Sequence, residues 1–226
     1  MERNIALTLA ALALLAIVVA IIAPGGRQVD PEPKVPWRIE VQPDGSSSVL
    51  GLTLGRSTLA DARRVFDEGG ELTLFAEPDG DIAVEAFFEG VFLSGLRADI
   101  VLSLMLPAKT LEGMYDRGRR SSRLGSGEHK VTLHPDDVQR ASTAPVGHIT
   151  YLPVADPEPD LLESRFGPPA RRIPTGRGIE HWLYPDRGLD IVVDPEGKEV
   201  FQYVPPRDFQ PLVVAPLEAH ADAGTP

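Results

Sequence analysis

Residues 5–23 form a run of nineteen in which only Thr8 is polar. A helix rises 1.5 Å per residue, so the run spans roughly 28 Å, close to the roughly 30 Å of a bilayer's hydrocarbon core. A cleaved signal peptide is the competing reading. Its apolar region is usually shorter, and it needs a small-x-small site beyond that region. Pro24 stands directly after Ala23 and disfavours cleavage there; Val18-Val19-Ala20 and Ala23-Pro24-Gly25 are weaker sites. The run therefore reads as a retained single-pass anchor, residues 1–4 being a cytoplasmic tail. Ala6, Ala10, Ala11, Ala13 and Ala16 supply small residues for close helix packing. Arg3 on one side and Arg27, Lys34 and Arg38 on the other leave the positive-inside rule undecided. A short tail ordinarily stays cytoplasmic, which puts the large C-terminal part outside. Arginine makes up 18 of 22 basic residues and Asn occurs once. That is the usage of a GC-rich bacterial genome, for which the outside is the periplasm. The expected location is a bacterial inner membrane with a periplasmic domain.

The chain of 226 residues carries 33 acidic against 22 basic residues, a net charge of −11. A general nucleic-acid binder needs a dominant basic face to displace counterions from phosphates, so that class is set aside. There is no cysteine. Disulfides, zinc–thiolate sites, iron–sulfur clusters, thiol catalysis and acylation of an N-terminal cysteine are thereby excluded. The 22 prolines and 21 glycines predict short elements joined by many turns.

Periodicity divides the remainder. Residues 24–48, with Gly25-Gly26, four prolines beyond Pro24 and Ser46-Ser47-Ser48, read as an extended tether holding at most a short strand over 37–41. A helix is expected over 57–66, with Thr58 and Asp61 at capping-box spacing and Leu59, Ala62, Val65 and Phe66 on one face. Strands follow over 71–76, 81–88 and 96–106. The last alternates best: Leu96, Ala98, Ile100, Leu102, Leu104 and Leu106 share one side. Its second half is apolar on both sides, which predicts a central position in a sheet. Short helices are expected over 109–117 and from Pro135, and short strands over 130–133 and 148–152. A helix over 160–166, ended by Gly167-Pro168-Pro169, then leads into strands 179–184, 189–193 and 199–204. Helix followed by a three-stranded meander thus occurs twice. The expected fold class is α+β: an anchor, then a first module over 49–153 and a second over 154–205, each a helix plus an antiparallel meander. Pro, Ala and small acidic residues over 206–226 read as a disordered tail.

The stretch Gly51-Leu52-Thr53-Leu54-Gly55-Arg56-Ser57-Thr58-Leu59-Ala60-Asp61-Ala62 resembles the opening of the small outer-membrane assembly lipoproteins, the SmpA/OmlA or BamE-like family. Phe166-Gly167-Pro168 and Trp182-Leu183-Tyr184-Pro185 resemble that family's helix end and first strand. The beta-lactamase-inhibitor protein is built similarly, from two helix-plus-sheet modules. The resemblance covers about half of the chain in two pieces. It implies a periplasmic binding or scaffolding role without catalysis. The chain departs from the lipoproteins in lacking their acylated cysteine and carrying an apolar run instead.

No nucleophile elbow, phosphate loop, dinucleotide fingerprint or zincin motif occurs. His129 and His134 flank a short strand near Asp136 and Asp137, and a metal-assisted hydrolase could be built from them. The local explanation is that His134 caps a helix whose first turn the aspartates stabilise. No cofactor is implied. Two arginine clusters stand out, one of Arg117, Arg119, Arg120 and Arg123 with Lys130, the other of Arg165, Arg171, Arg172 and Arg177. They read either as contacts for an anionic partner or as solvated loops balancing nearby acids; Arg117, Arg119, Arg120, Arg123, Arg171 and Arg172 are the candidate contacts. Trp182, Tyr184, Phe201 and Tyr203 are expected in the core of a sheet. The function expected is binding or scaffolding in the cell envelope, through an envelope protein partner. The other readings are an accessory subunit of an inner-membrane complex and the metal-assisted hydrolase.

Overall fold

The computed structural model describes residues 32–78, 80–125 and 127–223, with side chains to residue 219. The anchor expected over residues 5–23, the tail before it and the first part of the tether lie outside the described residues. Among those described, no helix is long and apolar enough to cross a membrane. Residues from Lys34 onward form one compact unit of mixed α+β structure with antiparallel sheets.

In chain order the strands are β1 (Glu40–Val41), β2 (Ser47–Val49), β3 (Leu52–Thr53), β4 (Glu71–Ala76), β5 (Ile82–Leu93), β6 (Leu96–Leu104), β7 (Arg120–Arg123), β8 (His129–Thr132), β9 (Val146–Pro153), β10 (Arg171–Gly176), β11 (Ile179–Tyr184), β12 (Leu189–Val193) and β13 (Val200–Tyr203). The helices are α1 (Leu59–Phe66), α2 (Ala108–Asp116), α3 (Pro135–Ser142), α4 (Pro159–Phe166) and α5 (Ala215–Ala223). β1, β2 and β3 form a small sheet. The other ten strands form a single sheet in the order β10-β11-β12-β13-β9-β6-β5-β4-β8-β7. Both expected meanders are present, and they meet edge to edge through β9, which pairs with β6 on one side and β13 on the other. The strongly alternating strand β6 is central, as its two apolar faces require.

Each face of the large sheet can be followed as a row of cross-strand partners. One row runs Phe88, Ile100, Tyr151, Phe201, Ile191, Trp182 and ends at Arg172. Its apolar members are buried in one core with Leu59, Ala62 and Phe66 of α1, Met114 of α2, Ala141 of α3 and Leu162 and Phe166 of α4. Phe66 meets Phe88 edge-on at 5.2 Å, and Phe166 meets Phe201 edge-on at 5.4 Å. Trp182 and Tyr184 share this face and Leu183 faces the other way, as the alternation predicts.

The capping box before α1 is formed. Asp61 N–H donates to Thr58 Oγ1 at 3.3 Å, and Thr58 N–H donates to Asp61 Oδ2 at 2.8 Å. The Thr58 backbone bond, helped by Arg64, holds the Asp61 carboxyl down at about 2. This contribution is complete above the ordinary carboxylate range and is lost as pH falls through about 2. Thr58→Ala should cost about 1 kcal/mol, read as a lower urea midpoint with an unchanged slope.

Two expectations are corrected. Residues 34–48 are not an extended tether. Pro36, Ser46 and Ser47 are buried, and Tyr203 Oη donates to the Pro36 carbonyl at 3.0 Å. Short polar and proline-rich segments look alike in sequence whether they hang free or are held by partners 167 residues away. Nor is the segment from Pro206 onward a disordered tail within the described residues. A 3₁₀ turn (Pro206–Asp208), a π turn (Gln210–Val214) and α5 follow one another. Phe209, Val213 and Val214 are buried against Ile173, Leu183 and Val204, on the sheet face opposite the main core. Residues 224–226 lie outside the described residues.

Candidate functional site: an uncovered sheet face and its arginine edge

The second face of the sheet is covered unevenly. One row on it runs Glu71, Phe87, Val101, Thr150, Gln202, Asp190, Leu183 and Arg171. At the Leu183 end the C-terminal segment covers it. At the Phe87 end Phe75, Phe87 and Val101 belong to neither buried cluster, and Phe87 is 40 % exposed. Two depressions of about 460 and 250 Å³ open there, both lined by Phe75 and Glu85.

The neighbouring row, Thr73, Glu85, Ser103 and His148, is polar. Burial raises the Glu85 carboxyl, the Ser103 hydrogen bond at 3.4 Å opposes this, and Glu128 adds to the rise. Burial pushes His148 down to about 4, and its Nε2 has no hydrogen-bond partner among the described residues. Serine, histidine and carboxylate thus stand side by side, but in an order that does not catalyse acyl transfer. A nucleophilic serine needs the histidine on its Oγ and the carboxylate behind the histidine. Here the serine bonds the carboxylate directly, and the histidine is too weak a base at neutral pH.

β7 is an outer strand of this half, paired only with β8. It is exposed along its whole length. Sequence alone read its arginines as a loop; the pairing with β8 places Arg120 and Arg123 on an edge strand. Arg119, just before it, donates its N–H to the Thr132 carbonyl at 2.9 Å. Among the described residues, the guanidinium groups of Arg119, Arg120 and Arg123 take no part in any ion pair or hydrogen bond. Lys130, on β8, pairs with Glu71 at 3.3 Å.

The remaining candidate arginines are used within the fold. Arg117 donates through Nε at 3.2 Å and Nη2 at 2.7 Å to Asp137, which is 1 % exposed, and so ties the end of α2 to the start of α3. The Asp137 hydrogen bond raises the Arg117 guanidinium above its ordinary value. Arg171 meets Glu218 of α5 at 2.5 Å. Arg172 lies over the Trp182 ring at 4.1 Å and pairs with Glu163 at 3.4 Å. Both sit on β10, the other outer strand of the sheet, so the two arginine clusters do not make one surface. Arg165 stacks on Trp37 at 4.8 Å.

The histidines have local partners. His134 caps α3, accepting from Asp136 N–H at 3.3 Å. His129 Nδ1 lies 3.2 Å from Ser121 Oγ. With Asp137 held by Arg117, no ligand set assembles, and no group of three metal-ligating side chains occurs among the described residues. His181 Nδ1 lies 2.7 Å from Asp190 Oδ2, a pair within the sheet rather than an exposed base. Burial raises the Asp190 carboxyl against the opposing effect of His181.

No family model matches the chain, and no curated protein and no solved structure is similar to it.

Proposed function

We propose that the protein is a membrane-anchored, non-catalytic binding or scaffolding protein of the bacterial cell envelope, attached through residues 5–23 with its folded unit in the periplasm. The observation that carries this reading is the pairing of an uncovered apolar strip with an outer strand whose arginines have no internal partner among the described residues. Phe75, Phe87 and Val101 offer apolar area, and β7 offers unpaired backbone beside Arg119, Arg120 and Arg123. A partner segment of acidic character, added as a strand along β7, gains main-chain hydrogen bonds from the edge and charge complementarity from the arginines. The helix-plus-sheet stretches that resemble the BamE-like family point the same way. The accessory-subunit reading differs in placing the interface on the apolar run and its alanines.

A photo-crosslinking residue at Ser122, whose row on the sheet runs through Lys130 to Phe75, or at Phe87, in the membrane-bound full chain, tests this. The expected result is one protein adduct of the same mass from both positions, absent when the probe is at Leu161 on the helical side. Arg120→Glu with Arg123→Glu should abolish it. Adducts unaffected by charge reversal, or none at either position, would overturn the edge as the interface. Loss on exchanging the apolar run for an unrelated anchor would favour the subunit reading.

A further inference from the structure

A second site lies away from the uncovered face. The loop entering α4, the first strand residues of β11 and the β12–β13 turn enclose a pocket of about 350 Å³. Asp156, Glu158, Glu180, Asp194 and Glu199 all line it, and no basic residue does. Acidic residues gathered at a surface usually mean only solvation, and Glu199 separates this cluster from that case. It is 5 % exposed, and its Oε2 is buried with no donor among the described residues; the side chain that meets it is the Asp156 carboxyl, which is also an acceptor once both are ionised. A buried carboxylate oxygen without a donor is costly, so an outside donor has a place to go. Two of the lining acids have internal partners: Glu180 accepts from Trp182 Nε1 at 3.1 Å, and Asp194 Oδ1 accepts from Glu196 N–H at 3.0 Å. Lys198, next to Glu199 in the chain, is not part of the lining.

From this arrangement we infer that the pocket binds an ammonium or guanidinium group, with the buried Glu199 as its anchor and the more exposed Asp156, Glu158 and Asp194 around it. An N–H cation supplies both the missing charge and the missing donors. A bare metal ion fits less well, since the described residues hold no three ligands close enough to share one. The group can arrive on a free polyamine or on a lysine or arginine side chain of a protein. The geometry is the same in either case.

The pocket also carries a sign for its pH dependence. Burial, and then the hydrogen bond its protonated carboxyl makes with Asp156, push Glu199 up to about 7, with the charges of Asp156 and Glu158 adding to the effect. The other charged groups facing it are Glu180 of β11 and Asp194 at the end of β12. Below that range Glu199 is protonated and the site loses charge, so cation binding strengthens as pH rises from 6 to 8.

Calorimetric titration of the full-length protein with spermidine, and separately with the tripeptides Gly-Lys-Gly and Gly-Arg-Gly, tests the inference. One saturable site at pH 8 is expected, about fivefold to tenfold weaker at pH 6 and at least tenfold weaker in Glu199→Gln. Glu158→Gln, an exposed change that leaves the fold alone, should also weaken it. Tighter spermidine binding assigns the site to free polyamines; tighter tripeptide binding assigns it to a protein side chain. Equal weakening by Glu68→Gln, outside the pocket, would reduce the effect to net charge and overturn the inference. So would the absence of saturable binding, or displacement of spermidine by calcium at equal concentration.

Discussion

Trp182→Ala should lower the stability of the folded unit by about 3–5 kcal/mol, the range for removing a buried large aromatic side chain. Trp182 is 3 % exposed and sits between Ile191 and Arg172 in the row that crosses the sheet. Its loss empties part of the main core and strips the Arg172 guanidinium of the ring it covers at 4.1 Å. It also frees the Glu180 carboxylate from the indole N–H. Against a total stability of about 5–15 kcal/mol, the change is large. At about 2–4 °C per kcal/mol for a unit of this size, the melt followed by circular dichroism should move down by about 6–20 °C. A recognition hot spot behaves differently, leaving the melt unchanged and removing partner binding. A shift of less than about 2 °C would therefore take Trp182 out of the core.

The second large effect is expected from Gly188→Ala, by another mechanism. Gly188 follows the 3₁₀ turn Pro185–Arg187 and has φ +66°, ψ +34°. An alanine in that left-handed conformation costs about 1–2 kcal/mol by itself. Here the added Cβ would also stand 1.9 Å from the Val204 carbonyl oxygen and 3.0 Å from the Pro206 nitrogen. Both are backbone atoms at the junction where β13 passes into the C-terminal segment, and Val204 N–H donates to the Gly188 carbonyl at 2.9 Å. Forced repacking adds about 1–3 kcal/mol, for a total of about 2–5 kcal/mol. Gly95, in the turn between β5 and β6, separates the two contributions. Its φ is also positive, and nothing lies within 4 Å of its Cβ position. Urea unfolding should show Gly188→Ala losing clearly more stability than Gly95→Ala. Equal losses would mean that conformation alone, without the clash, sets the cost.

The parts of the fold that sequence reading reached are those whose signal is local. The Thr58–Asp61 box, the alternation in β6 and the Pro and Gly turns of the second meander each depend on residues within a few positions of one another. The long strand β5 was recognised only to Phe88; it runs to Leu93. The irregular register between Phe88 and Val91, at Gly90, interrupts the period on which the reading relied. The strands β7 and β10 were read as arginine loops, because neither alternates; pairing with a neighbour, not hydrophobic period, makes them strands. The turn Gly176-Arg177-Gly178 was the available sign that β10 and β11 form a hairpin.

By itself the sequence determined the α+β class, the exclusion of cysteine chemistry, the two helix-plus-meander stretches, the core face bearing Trp182, Tyr184, Phe201 and Tyr203, and the cap at His134. All of these follow from composition or from short-range periodicity, which survive without knowledge of distant contacts. Only the tertiary structure decided that both meanders share one ten-stranded sheet, since edge pairing between β9, β6 and β13 leaves no mark in any one strand. It alone decided which half of the second face is covered, because that depends on where Phe209, Val213 and Val214 land. It also separated arginines that look alike in sequence: Arg117 has a buried aspartate twenty residues away, whereas Arg120 and Arg123 have no such partner among the described residues. Glu199 shows the same limit most sharply. The Asp156 carboxyl that meets it stands more than forty positions earlier in the chain, so a carboxylate that reads as the opening residue of a strand becomes a buried, acid-facing one only when the fold closes over it.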